Sequence, residues 1–151
     1  MIASAYSEAV RERCREPRRA GAWPEDDHGV GTGSAGSLDE GTWTRLQVHV
    51  DADGRIDDTR FKVFGCSAAI ASASFVADRL VGASLDDART LAPADVVVAL
   101  QLPGDKHAAA SLATEAARGA VEDWARKAGT RDQGPGTRDA GDDDAPSGGT
   151  R

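Results

Sequence analysis

Cysteine is scarce in this chain: Cys14 and Cys66 are its only two thiols among 151 residues. Two thiols make neither a disulfide framework nor a four-cysteine zinc site. Aromatics are equally thin at 5%, so any core is built mostly from Ala, Val and Leu. No apolar run approaches the roughly 18 residues that a membrane span needs, so no membrane partner is expected. Basic residues are in deficit, with 18 Lys and Arg against 25 Asp and Glu and a formal charge of −7. A phosphate-binding surface needs clustered bases, so no nucleic-acid partner is expected either. The opening MIASAYSEAVRERCREPRR carries charges through its middle and has no apolar h-region. It does not read as a signal peptide, and a cytoplasmic protein is expected. A chain of this length has room for one core.

The apolar pattern divides that chain. Ile2, Tyr6, Val10 and Cys14 recur every four residues between charged positions, which predicts an amphipathic helix ended by Pro17. Residues 18–41 are rich in Gly, Asp, Glu and Ser and read as an irregular connection. Leu46, Val48 and Val50 then alternate with Arg45, Gln47 and His49, as in a strand with one dry face. Turn chemistry at Asp51-Ala52-Asp53-Gly54 leads into a returning strand over 55–64. From Cys66 to Val81 the period becomes helical, with Ile70, Ala73, Ala77 and Leu80 in one stripe. Ser84 opens a short helix, Pro93 starts another through Leu100, and a last one is expected from Asp105 to Lys127. Helix, strands, then helices imply an α+β fold with an antiparallel sheet. Residues 128–151 contain no large apolar side chain and read as a disordered acidic tail beyond a domain at 1–127.

Few residues are placed to carry chemistry. Gly31-Thr32-Gly33-Ser34-Ala35-Gly36 spells the dinucleotide fingerprint, but that motif needs a strand before it and a helix after it. Here an acidic loop precedes and a strand follows, so nucleotide binding is not expected. Cys66 is the most informative residue, standing between a strand ending in Gly65 and the first turn of a helix. Unpaired backbone N–H groups at such a helix start favour a thiolate. The plainer reading of Cys66 is a buried thiol used as a small apolar side chain. Cys14 continues the stripe of the first helix and reads as packing. His28, His49 and His107 have no ligand spacing to one another or to a cysteine.

At this point the motifs carry a resemblance. Ala5-Tyr6-Ser7-Glu8 with Glu16-Pro17-Arg18, the stretch RFKVFGCSAAIASAS over 60–74, GASLDDA over 82–88, and Leu102-Pro103 followed by Lys106 lie in order along the chain. This pattern is similar to the NifU/IscU-type iron–sulfur cluster assembly scaffolds, from the first helix to the last. The resemblance implies a SufE/NifU-like α+β fold, with a small antiparallel sheet of about three strands packed against helices. It implies a non-enzymatic scaffold that holds iron or an iron–sulfur cluster and works with a cysteine desulfurase or other assembly proteins.

Departures from the pattern bear on that expectation. Family members carry three cysteines, an aspartate near the first and often a histidine beside the third, and clusters favour four thiolate-like ligands. In this chain only the middle cysteine remains, as Cys66. Glu40 takes the place of the first and Thr42 that of the aspartate, while Ala109 and Ala108 stand at the third cysteine and its histidine. The expected metal-site residues are therefore Cys66, Glu40, Asp39 and His107, for iron or a cluster, with zinc as another candidate ion. The alternative reading keeps the fold as a protein-binding module without cluster chemistry.

Overall fold

The computed structural model describes residues 6–133, with side chains described to residue 129. The first helix, α1 (Glu8–Arg15), begins where the Ser7 hydroxyl accepts from the Val10 N–H at 3.2 Å, and it ends before Pro17. Val10 of its apolar stripe is fully buried, while Ile2 lies outside the described residues. Three strands follow: β1 (Val30–Ser37), β2 (Thr42–Val50) and β3 (Ile56–Phe64). They form one antiparallel sheet in the order β1-β2-β3. Then come α2 (Ser67–Leu80), α3 (Leu85–Arg89), α4 (Pro93–Leu100), one 3-10 turn at Gly104–Lys106 and the long α5 (His107–Gln133). The three-stranded antiparallel sheet against helices is the α+β architecture expected.

The register explains which face is dry. Gly33 pairs with Leu46 and Leu46 with Phe61, while Gly31 pairs with Val48 and Val48 with Thr59. These residues share one face, against which α5 and α2 lie. Leu46 and Val48 are fully buried there, and a Leu or Val so placed contributes ~1.5–3 kcal/mol. Thr59 is buried too, its hydroxyl donating to the Ala77 carbonyl of α2 at 2.8 Å.

Two expectations are corrected. Residues 18–41 are not an irregular connection throughout, because the glycine-rich motif itself is β1. A β-carbon on Gly31 or Gly33 would collide with the backbone of α5 at Ala120 and Ala116. Glycine is there to let helix and strand backbones touch, not to receive a pyrophosphate. The outer edge of β1 is covered from α5, where the Asp123 carboxylate accepts from the Thr32 N–H at 2.9 Å and Lys127 Nζ donates to the Val30 carbonyl at 2.9 Å. Such cover blocks edge-to-edge pairing with another chain. The last helix, expected to stop at Lys127, continues through Gln133, and the rest of the expected tail, 134–151, lies outside the described residues.

The second face of the sheet is partly covered as well. The Trp23 segment crosses it, with the Arg60 guanidinium 4.7 Å from the centre of the indole and Gln47 only 1% exposed beneath. Gln47 was expected on a wet face. Among the described residues no helix is long and apolar enough to cross a membrane.

Candidate functional site

β3 ends at Phe64, Gly65 makes the junction, and Cys66 is the N-cap of α2 with extended backbone, φ −82° and ψ 178°. Gly65 sits in a tight corner: a β-carbon there would lie 3.1 Å from the Ala69 β-carbon and 3.2 Å from the Thr42 γ-methyl. Glycine thus lets the strand turn into the helix against the start of β2. The Cys66 side chain makes no capping hydrogen bond and is exposed. The reading of Cys66 as a buried apolar thiol is therefore set aside.

The other expected residues lie on the β1–β2 turn and at the start of α5. Asp39 and Glu40 occupy the β1–β2 turn, closed by the Gly41 N–H donating to the Leu38 carbonyl at 3.0 Å, and both side chains are exposed. Thr42, just beyond them, is the residue that touches Gly65. His107 opens α5, with its Nε2 3.3 Å from the Leu102 carbonyl oxygen. Ala108 is exposed and Ala109 is buried in the first turn of α5. Among the described residues, no three His, Cys, Asp or Glu side chains converge as a metal cage. Cys66, Glu40, Asp39 and His107 therefore form no three-donor set as they stand, and a tetrahedral zinc site is not assembled.

The structure adds residues that periodicity had assigned elsewhere. Cys14 does not serve only as packing: it is half-buried, and its thiol donates to the Ser67 carbonyl at 3.4 Å, directly after Cys66. Lys106 closes the 3-10 turn that precedes α5. The Cys66 thiolate charge raises its pKa above the usual lysine value, followed by Tyr6, with Asp105 and a hydrogen bond to Tyr6 adding to the rise. The sequence signal for Cys14 and Tyr6 was their shared four-residue apolar spacing, which shows that they face a neighbour but not which one; Tyr6 itself precedes α1. Two large apolar side chains are exposed among these polar groups, Phe64 at 55% and Leu38 at 61%.

The chain is 38% identical over 123 residues to the iron-sulfur cluster assembly scaffold protein IscU of Escherichia coli K12, covering 82% of this chain and 96% of that one. It is 39% identical over 119 residues to the iron-sulfur cluster assembly enzyme IscU of Drosophila melanogaster, covering 79% and 77%. Its fold is similar to the crystal structure of a nitrogen-fixing NifU-like protein (N-terminal) from Brucella abortus, with TM-score 0.58 and 20% identity over 83% of this chain and 98% of that one. Residues 5–131 match the family described as NifU-like N terminal domain, and the chain belongs to that family.

Proposed function

We propose that this protein is an iron–sulfur cluster assembly scaffold that carries iron or a cluster as cargo, with Cys66 as its principal thiolate. The observation that supports this reading most is the exposed thiol at the Gly65–Cys66 strand-to-helix junction, in a chain 38% identical to a scaffold of that name. A soft thiolate suits iron and sulfide-bridged iron, and its negative charge offsets that of the metal. Asp39 and Glu40 supply hard oxygen donors from the turn beside Thr42. His107 joins them only by giving up its contact with the Leu102 carbonyl. With one thiolate in place of three, the cargo is held more loosely than in a three-cysteine relative, which favours transfer over storage.

The role is that of a non-catalytic carrier, and its partners are a cysteine desulfurase or other assembly proteins. Two unpaired cysteines fit the reducing cytoplasm. The reading as a bare docking module gains no observation of its own. The test is anaerobic reconstitution with ferrous iron and sulfide, followed by absorbance and iron counting. Cys66→Ala is expected to lose most of the bound iron, and equal iron in both proteins would remove Cys66 from the site. Capture of a desulfurase by the wild-type chain tests the partner.

A further inference from the structure

The acidic loop before β1 turns its main-chain oxygens onto one ammonium. Lys127 Nζ, late in α5, donates to the Glu25 carbonyl, to the Val30 carbonyl at 2.9 Å and to the Asp27 carbonyl at 3.3 Å, and Asp123 Oδ2 stands 3.3 Å away. Asp123, one turn earlier on α5, uses the same Oδ2 to accept from the Thr32 N–H at 2.9 Å, while Arg126 holds its Oδ1 at 2.9 Å. The carboxylates of the loop are engaged elsewhere: Glu25 Oε2 accepts from Arg45 at 2.9 Å, and Asp27 Oδ1 accepts from the Gly29 N–H at 2.8 Å. The Lys127 and Asp123 side chains are only 20% and 19% exposed. Four oxygens thus surround a group with three N–H bonds, which is the shell of an ion rather than that of a directed donor.

We propose that this corner of α5 and β1 is a site for a monovalent cation of potassium or ammonium size, and that the chain fills it with the ammonium of its own Lys127. Donor type selects the class. Three of the four oxygens are neutral main-chain carbonyls, the donors that replace the water shell of potassium in selective pores. Calcium draws on several carboxylates and magnesium keeps its water. Here Asp123 alone, among the described residues, forms an ion pair with Lys127. Because this cation is tethered, the wild-type chain holds residues 25–30 and the edge of β1 without any need for dissolved potassium. A chain without the ammonium leaves the same oxygens to a dissolved cation of similar radius, and its stability becomes dependent on that ion.

The test unfolds the full chain by heat, as wild type and as Lys127→Ala, in the chlorides of potassium, ammonium and tetramethylammonium at one ionic strength. In tetramethylammonium, an ion too large for the site, Lys127→Ala is expected to melt at least about 4 °C below wild type. Potassium or ammonium is expected to restore about half of that loss or more, rising with concentration as linkage requires, and to leave wild type unchanged. Equal melting of variant and wild type would overturn the proposal, as would a variant helped no more by potassium and ammonium than by tetramethylammonium. Lys127→Met, which keeps most of the apolar stem, goes through the same salts in case the alanine variant folds poorly. A further measurement needs no variant: under limiting acylation of wild type, read by mass spectrometry, Lys127 is expected to react at least about tenfold more slowly than the exposed Lys62, because its nitrogen must first leave its oxygens. Equal rates at the two lysines would refute the closed shell. No iron, sulfide or partner is present, so the result is independent of cluster reconstitution.

Discussion

The side-chain amide of Gln47 holds both backbone groups of Trp23: its Oε1 accepts from the Trp23 N–H at 2.8 Å, and its Nε2 donates to the Trp23 carbonyl at 2.9 Å. The same Nε2 donates to the Thr32 hydroxyl at 3.0 Å, so one buried amide ties the crossing segment to β1 as well as β2. Gln47→Leu fills the space but leaves the Trp23 groups without their partner. It is expected to cost about 1–3 kcal/mol for each group left unsatisfied, read from urea unfolding. A loss below about 0.5 kcal/mol would show that water replaces the amide without penalty.

Gly33 and Gly54 separate two reasons for glycine. A β-carbon on Gly33 would fall on backbone atoms of α5, which cannot swing aside as a flexible side chain could. Gly33→Ala is therefore expected to cost about 1–3 kcal/mol or more from overpacking. Gly54 has open space around it, but its φ is +84°, so Gly54→Ala is expected to cost about 1–2 kcal/mol from backbone strain alone. Gly104, with open space and no positive φ, is the control, with little change expected on replacement by Ala. Thermal unfolding gives the ranking, and a Gly33→Ala variant as stable as Gly104→Ala would refute the backbone contact.

Asp78 links α2 to the first helix. Arg13 reaches it at 2.7 Å and Arg19 at 2.9 Å. Burial by itself raises the Asp78 pKa, but Arg13 and Arg19 together outweigh it and hold the carboxyl below its ordinary value of 3.8. A carboxyl with a lower pKa folded than unfolded adds stability above the unfolded value and loses it as pH falls through the folded one. Asp78→Asn is thus expected to lower stability at pH 7 by about 1–3 kcal/mol. The gap should close as the wild type is taken below pH 3.8. Urea unfolding at pH 7, 5 and 3 measures it, and a gap that stays constant would mean that charge is not its source.

Much of this was readable from the chain. Alternation at Leu46, Val48 and Val50 located β2, and Gly65-Cys66 with the stripe after it located α2, because the local apolar period of each element matches its backbone geometry. β1 escaped because its apolar partner is helix backbone, so its inward positions are glycines and look like a loop. Gln47 escaped because its burial comes from Trp23, 24 residues away, which no local period records. At the site, Cys66 was legible from its junction. Cys14 was not, since a stripe shared with Val10 gives direction but not the identity of what is faced.

The positions that depart from the family pattern make a gain-of-function test. Glu40→Cys with Ala109→Cys adds thiols at the two positions where the family pattern has its other cysteines, and Thr42→Asp adds a carboxylate beside Gly65. Reconstituted with iron and sulfide, the triple variant is expected to retain its cluster against a chelator at least about tenfold longer than wild type. Equal loss from both would indicate that the turn and the first turn of α5 do not face the same cargo.

Ser7, Arg13 and Arg19 tether the first helix and its exit to α4, α2 and β3: the Ser7 hydroxyl to the Leu100 carbonyl at 2.6 Å, Arg13 to Asp78, and Arg19 to Asp58 and Asp78. Eight residues are too few to stay helical alone in water, so this helix exists only while docked. Undocking would unravel it and take Cys14 away from the Ser67 carbonyl at the start of α2. The change would be a local event, with the sheet and the remaining helices left standing.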